Sequence, residues 1–148
     1  MPTTSLSPHF SLEQLTLSVA AKKHKLKNTP DAATVERLRL LCAHVLEPLR
    51  ELYGAPLYVN SGYRSPEVNA AVGGVRTSQH LLGEAADITT GSLEENRRLL
   101  GIALEHAREL GFDQLIAEKS NTYGYPRWLH ISYSDRKRRQ QFIVTKGS

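Results

Sequence analysis

Apolar residues recur at steps of three and four between positions 35 and 53. Val35, Leu38, Cys42, Val45, Leu46, Leu49 and Tyr53 fall on one stripe, which predicts a core-facing helix over residues 29 to about 53. Thr29 can cap it, Pro30 suits the first helical position, and Gly54 can end it. Pro48 lies inside the stripe and predicts a kink or an early break. A shorter helix is expected from Ser11 to about Ala21, opened by Ser11 and Gln14 at capping-box spacing. Ser65 and Pro66 start another, which Gly73 and Gly74 stop, and Ser92 with Glu95 opens one that runs to Leu110 before Gly111.

The strand signals are shorter runs. They cover residues 57–60, 85–89, 114–118 and 128–133, with a candidate edge strand at 142–144. The third and fourth would pair as a hairpin across a turn-rich segment at 121–126. Residues 73–84 lack periodicity and read as a long loop. Helices come first, and strands then alternate with short helices and hairpins. The expected class is therefore α+β, with helices packed on a small, mainly antiparallel sheet.

Composition narrows this picture. The 148 residues suit a single domain spanning 1–148, with a loose lead-in at 1–8 and a basic tail at 135–148. The only cysteine, Cys42, falls on the apolar stripe as a packed thiol, which excludes an intrachain disulfide framework and a cysteine-rich zinc finger. Any metal site must draw on His, Asp or Glu. No apolar run approaches the roughly 18 residues of a membrane span. No basic segment precedes an apolar stretch at the start, so no secretory signal is read and synthesis in the cytoplasm is expected. A monomer is expected. The net charge of +4 is compatible with an anionic partner. The basic clusters at 22–27 and 136–139 lack interleaved aromatics, so they read as solvated surface and no nucleic acid is expected.

Three residues stand out chemically. His80 lies in the irregular loop. Asp87 lies in the next strand between Ala86 and Ile88, and His130 lies between Leu129 and Ile131. A carboxylate or an imidazole set among apolar strand residues is costly to bury unless it is paired or metal-bound. Two imidazoles and a carboxylate can hold Zn²⁺ with one position open to water, the arrangement of a catalytic site. The same residues also suit a plainer arrangement, a hydrogen-bonded loop histidine and an aspartate capping a strand end. His9, His24, His44 and His106 lie in polar surroundings or on helices and read as surface or core-edge residues.

The order of local motifs adds context. Ser61-Gly62-Tyr63-Arg64-Ser65-Pro66, Asn69, Gly73-Gly74, Ser78-Gln79-His80, Gly83-Glu84-Ala85-Ala86-Asp87 and Trp128-Leu129-His130-Ile131-Ser132 follow one another along the chain. This series resembles the zinc D-Ala-D-Ala carboxypeptidase family, which includes D,D-dipeptidases and the L-alanyl-D-glutamate endopeptidases of phage lysins. It is similar, more distantly, to the hedgehog signalling domain. The matching segments span residues 57–133, and the preceding helix resembles a phage- or prophage-type subgroup.

The resemblance implies that His80, Asp87 and His130 hold Zn²⁺ and that Arg64 meets a substrate carboxylate, a role suited to the guanidinium fork. It implies that Ser61 and Tyr63 hold the loop or contact substrate, and that Ser78 and Gln79 orient His80. In several relatives an acid stands three residues before the last histidine; here that position is Arg127. The hairpin would instead bring Glu118 beside the His130 strand, and the subgroup this chain resembles carries a glutamate there. Glu118 is thus the expected catalytic base, with Asp113 second. The implied function is hydrolysis of peptide bonds in peptidoglycan stem peptides, by carboxypeptidase or endopeptidase action. The protein would act at the cell wall, and release in phage-type lysis would supply its route there. The alternative is a non-catalytic zinc-containing module that binds the wall.

Overall fold

The computed structural model describes residues 4–147. Its main sheet has five strands: β3 (Tyr58–Ser61), β4 (Ala85–Thr89), β5 (Gln114–Ser120), β6 (Trp128–Ser132) and β7 (Gln141–Lys146). Their spatial order is β3-β4-β6-β5-β7, antiparallel except for the parallel β5–β7 pair at one edge. The expected α+β class is observed, and the hairpin between residues 114–118 and 128–133 is β5–β6.

One face of this sheet meets the helices. Ala86, Ile88, Leu115, Ala117, Leu129 and Ile131 alternate inward and are buried. They join Leu38, Leu41, Val45, Leu46 and Leu49 in one core. Burying each such Leu or Ile side chain stabilises the fold by about 1.5–3 kcal/mol. Those leucines lie on a long helical segment made of α3 (Ala32–Leu41), a π-helical turn (Cys42–Leu46) and α4 (Glu47–Tyr53). The predicted kink at Pro48 takes the form of this π turn. Pro48 has no N–H to give the fourth carbonyl before it, and the wider turn lets the Glu47 N–H bond to the Cys42 carbonyl instead. Gly54 ends the segment at φ +84°.

Several boundaries differ from expectation. The Asp31 carboxylate, not Thr29, caps α3 by accepting the Thr34 N–H at 2.8 Å. The helix expected from Ser11 to Ala21 is two helices, α1 (Leu12–Thr16) and α2 (Val19–His24), because Ser18 adopts extended backbone and caps α2 itself. The helix starting after Ser92 divides at His106 into α6 (Leu93–Glu105) and α7 (Ala107–Leu110). Glu95 does not close the expected capping box; its carboxylate accepts the Tyr53 hydroxyl. α5 (Pro66–Ala71) begins where Ser65-Pro66 indicates.

The lead-in, expected to be loose, carries structure from residue 5 onward; residues 1–3 lie outside the described part. β1 (Ser5–Ser7) pairs with β2 (Phe10–Ser11), and Leu6 and Phe10 are buried. The carboxylate of Glu47, 38 residues beyond His9, accepts from the Ser7 hydroxyl and from the His9 backbone N–H. The basic tail ends in β7, which contains the edge strand expected at 142–144 and lies at the edge of the sheet.

Candidate metal centre and cleft

The opposite face of the sheet forms a cleft. Cross-strand neighbours share a face, and the register sets Asp87 beside His130 and His130 beside Ile116, with Glu118 beside Trp128. The alternation that buries Ala86, Ile88, Leu129 and Ile131 therefore directs Asp87 and His130 away from the core. His80 reaches the same place from a 3₁₀ turn (Gln79–Leu82) that interrupts the long loop, with the Ser78 side chain accepting the His80 N–H.

These three residues lie together. One donor atom from each is within 4.8 Å of the others. His80 Nε2 is 3.3 Å from Asp87 Oδ1, and His130 Nδ1 is 3.1 Å from the same oxygen. His80 and His130 are only 2% and 8% exposed. His80 Nδ1 is 2.7 Å from the Gly62 carbonyl oxygen, which can only accept, so Nδ1 carries the proton and Nε2 is free to donate a lone pair. Nε2 faces Asp87 Oδ1, where a protonated ring donates to the carboxylate and a neutral ring offers its lone pair to a cation held between the two. Burial would raise the Asp87 pKa, but hydrogen bonds and charge from His130 and His80 outweigh it and hold the carboxyl well below its usual range. The donor set fits a divalent transition ion. Donors about 2.0–2.1 Å from a tetrahedral zinc lie roughly 3.3 Å apart, close to the two spacings seen.

Backbone contacts lock the loop that carries this geometry. A Cβ on Gly62 would collide with the Leu15 carbonyl of α1, and the Tyr63 N–H donates to that carbonyl at 2.7 Å. Only glycine permits this approach, which also aims the Gly62 carbonyl at His80. The Arg64 N–H donates to the His80 carbonyl at 3.1 Å.

A cavity of about 440 Å³ opens over the cluster, and Arg64, Gln114, Glu118 and Arg139 also line it. Glu118 Oε1 accepts the Thr145 hydroxyl at 2.8 Å, and Thr145 Oγ1 accepts the Lys119 N–H at 2.8 Å. Lys119 sits at φ +48°, at the irregularity in the β5–β7 register that brings its N–H to Thr145. Burial lowers the Arg64 pKa, with Asp87 opposing, and Arg64 Nε has no hydrogen-bond partner among the described residues. The same holds for Gln79 Oε1, while Gln79 Nε2 donates to Asp113 at 2.8 Å.

Five expected site residues, His80, Asp87, His130, Arg64 and Glu118, thus share one cavity. Ser61 lies on β3 opposite Asp87 and faces a neighbouring cavity. Tyr63 does not join them: its side chain is buried in the core cluster, and its carbonyl accepts the Asn28 amide. Asp113 is fully buried and bound by Arg139 through Nε at 2.9 Å and through its second nitrogen at 3.0 Å, which removes it as a base. Sequence reasoning missed Thr145, Gln114 and Arg139. For Thr145 and Arg139 the signal is tertiary, since the parallel β5–β7 pairing brings the tail to the cleft, while Gln114 opens the expected strand at 114–118 and carries no signal of its own.

The family model for Peptidase M15 matches residues 8–132. The chain is 34% identical over 96 residues to the zinc D-Ala-D-Ala carboxypeptidase of Streptomyces albus G, a match covering 64% of this chain and 34% of that protein. The chain thus spans about a third of that relative's length. Among solved structures, an L-Ala D-Glu endopeptidase of Serratia marcescens aligns at a TM-score of 0.40 and 21% identity, covering 71% of this chain and 89% of that one.

Proposed function

The chain belongs to the peptidase M15 family, and on that footing we propose that it is a zinc-dependent peptidase that hydrolyses peptide bonds in peptidoglycan stem peptides. The observation that carries this reading is the convergence of His80, Asp87, His130, Glu118 and Arg64 on one cavity. The relative's name supports both the metal and the substrate class.

In this reading His80 Nε2, the Asp87 carboxylate and His130 Nδ1 would hold the ion. Bound zinc would supply Lewis acidity and make a water nucleophilic at neutral pH. Glu118 takes the proton of the attacking water and returns it to the leaving amine. Thr145 occupies one of its carboxylate oxygens and leaves the other for that exchange. Arg64 offers its guanidinium to a substrate carboxylate. Gln79 Nε2 donates to Asp113, which Arg139 binds in turn, and this chain of contacts anchors the turn that carries His80. The catalytic unit then extends past the family match to β7, because Thr145 is part of it. The site of action is the cell wall; no described helix is long and apolar enough to cross a membrane.

Mass spectrometry of purified peptidoglycan treated with zinc-loaded protein tests the reading. Release of D-alanine, or of a cut stem peptide, is expected, and the product identifies carboxypeptidase or endopeptidase action. Wall binding with an unaltered peptide profile would favour the non-catalytic module, which Arg127 in place of an acid before His130 recommends.

A further inference from the structure

The basic stretch at 22–27, which the sequence assigns to solvated surface, contributes a wall of the cleft. Asn28 staples this segment over the arginine loop. Its Nδ2 donates to the carbonyls of Thr16 and Tyr63, its Oδ1 accepts the Ser65 N–H at 2.7 Å, and the Ser65 hydroxyl donates to the Lys27 carbonyl. Between α2 and β3 lies a second cavity of about 470 Å³ that shares Arg64 and Asp87 with the first. Ser18, Lys23, His24, Asn60 and Ser61 line its remaining polar side. Val19 and Val72, 82% and 47% exposed, supply apolar surface.

The charges here are unbalanced. Neither Lys23 nor Arg64 ion-pairs with an acid among the described residues. Asp87, the only acid among the described residues that line the cavity, faces both imidazoles. Two cations facing one pocket repel each other, and an anion between them relieves that repulsion.

We propose that this second cavity is an anion subsite of the cleft, and that it takes a substrate residue whose free carboxylate stands beside aliphatic carbons. The carboxylate lies between Lys23 and Arg64, and the neighbouring aliphatic carbons pack on Val19 and Val72. Lys23 is then a specificity-determining residue supplied by α2, outside the motifs that carry the metal ligands. The proposal rests on the peptidase reading above.

Calorimetry tests it on zinc-loaded protein carrying Glu118→Gln, so that the probe stays whole. Three forms of the stem pentapeptide L-Ala-γ-D-Glu-L-Lys-D-Ala-D-Ala are compared: both carboxyls free, the glutamyl carboxyl amidated, and the C-terminal carboxyl amidated. One acid-over-amide preference of roughly tenfold, the scale of a charge-assisted hydrogen bond, is expected to depend on Lys23. Lys23→Ala should erase that preference and leave the other, while Lys23→Arg keeps both. Lys22→Ala, at a residue that does not line the cavity, should change neither. Binding in which Lys23→Ala leaves both preferences intact overturns the subsite alone. Absence of binding by any of the three peptides overturns the peptidase reading and the subsite with it.

Discussion

The two faces of the central sheet are built from the same strands and follow opposite rules. On one, Ala86, Ile88, Leu115, Ala117, Leu129 and Ile131 are fully or almost fully buried and apolar. On the other, one residue along from each, stand Asp87, Ile116, Glu118 and His130. The first face gains stability from removing hydrocarbon from water. The second gathers a carboxylate and two imidazoles at the cost of desolvating them, an arrangement that a bound cation would offset. Because the side-chain period is two, a slip of one residue in β4 or β6 would exchange the two roles. The packing of the core face therefore fixes where the cleft face points.

The sharpest separation of the faces is expected from Glu118→Gln. It should lower turnover by about 10²–10⁴-fold, the range for a lost general base, with zinc content and melting temperature retained. Activity near wild type would remove Glu118 from its role. The converse substitution is Leu129→Ala, beside His130 on the buried face. It should cost about 2–5 kcal/mol of stability, read from urea unfolding, because it opens a cavity under the sheet. A loss of zinc without a loss of stability would mean that the two faces are not divided as described.

Thr145 sharpens the comparison at the sheet edge. Thr145→Val should lower kcat by roughly three- to tenfold, as for one lost hydrogen bond, with KM little changed. Thr145→Ser should restore it. Equal defects in the two variants would point to packing of β7 rather than orientation of Glu118. The smallest effect concerns Asp113. The Arg139 hydrogen bonds, assisted by Gln79 and opposed by burial, hold its carboxyl below the ordinary range. A depressed carboxyl contributes stability above the unfolded value of about 3.9 and loses it as pH falls through the lower folded value. Urea midpoints should therefore fall less steeply below about pH 4 in Asp113→Asn than in wild type; parallel slopes would contradict the pairing.

Much of the site could be read in the chain because a polar residue on an apolar strand is conspicuous. Asp87 and His130 interrupt runs that otherwise alternate for burial, and β4 occupies the residues expected of it. The Peptidase M15 match covers the same motifs. What stayed hidden depends on long-range contacts. Leu6 and Phe10 are too few to show a period, and the acid that pins their hairpin lies on α4. Lys23 resembles any lysine of a solvated run until Asn28 fastens that run over Arg64. Thr145 gains its place from a parallel strand pairing that no local pattern announces. Tyr63 sits within the motif yet turns into the core, because its backbone binds α1 on one side and Asn28 on the other.

The central claim is that the cleft face of the sheet is a metal site built from His80, Asp87 and His130. Metal analysis of the purified protein under zinc-replete conditions tests it most directly, alongside His80→Ala with its fold checked by circular dichroism. About one zinc per chain, lost in His80→Ala without loss of helix and strand signal, is the expected result. A wild-type chain that takes up no zinc, or a His80→Ala chain that keeps it, would contradict the account.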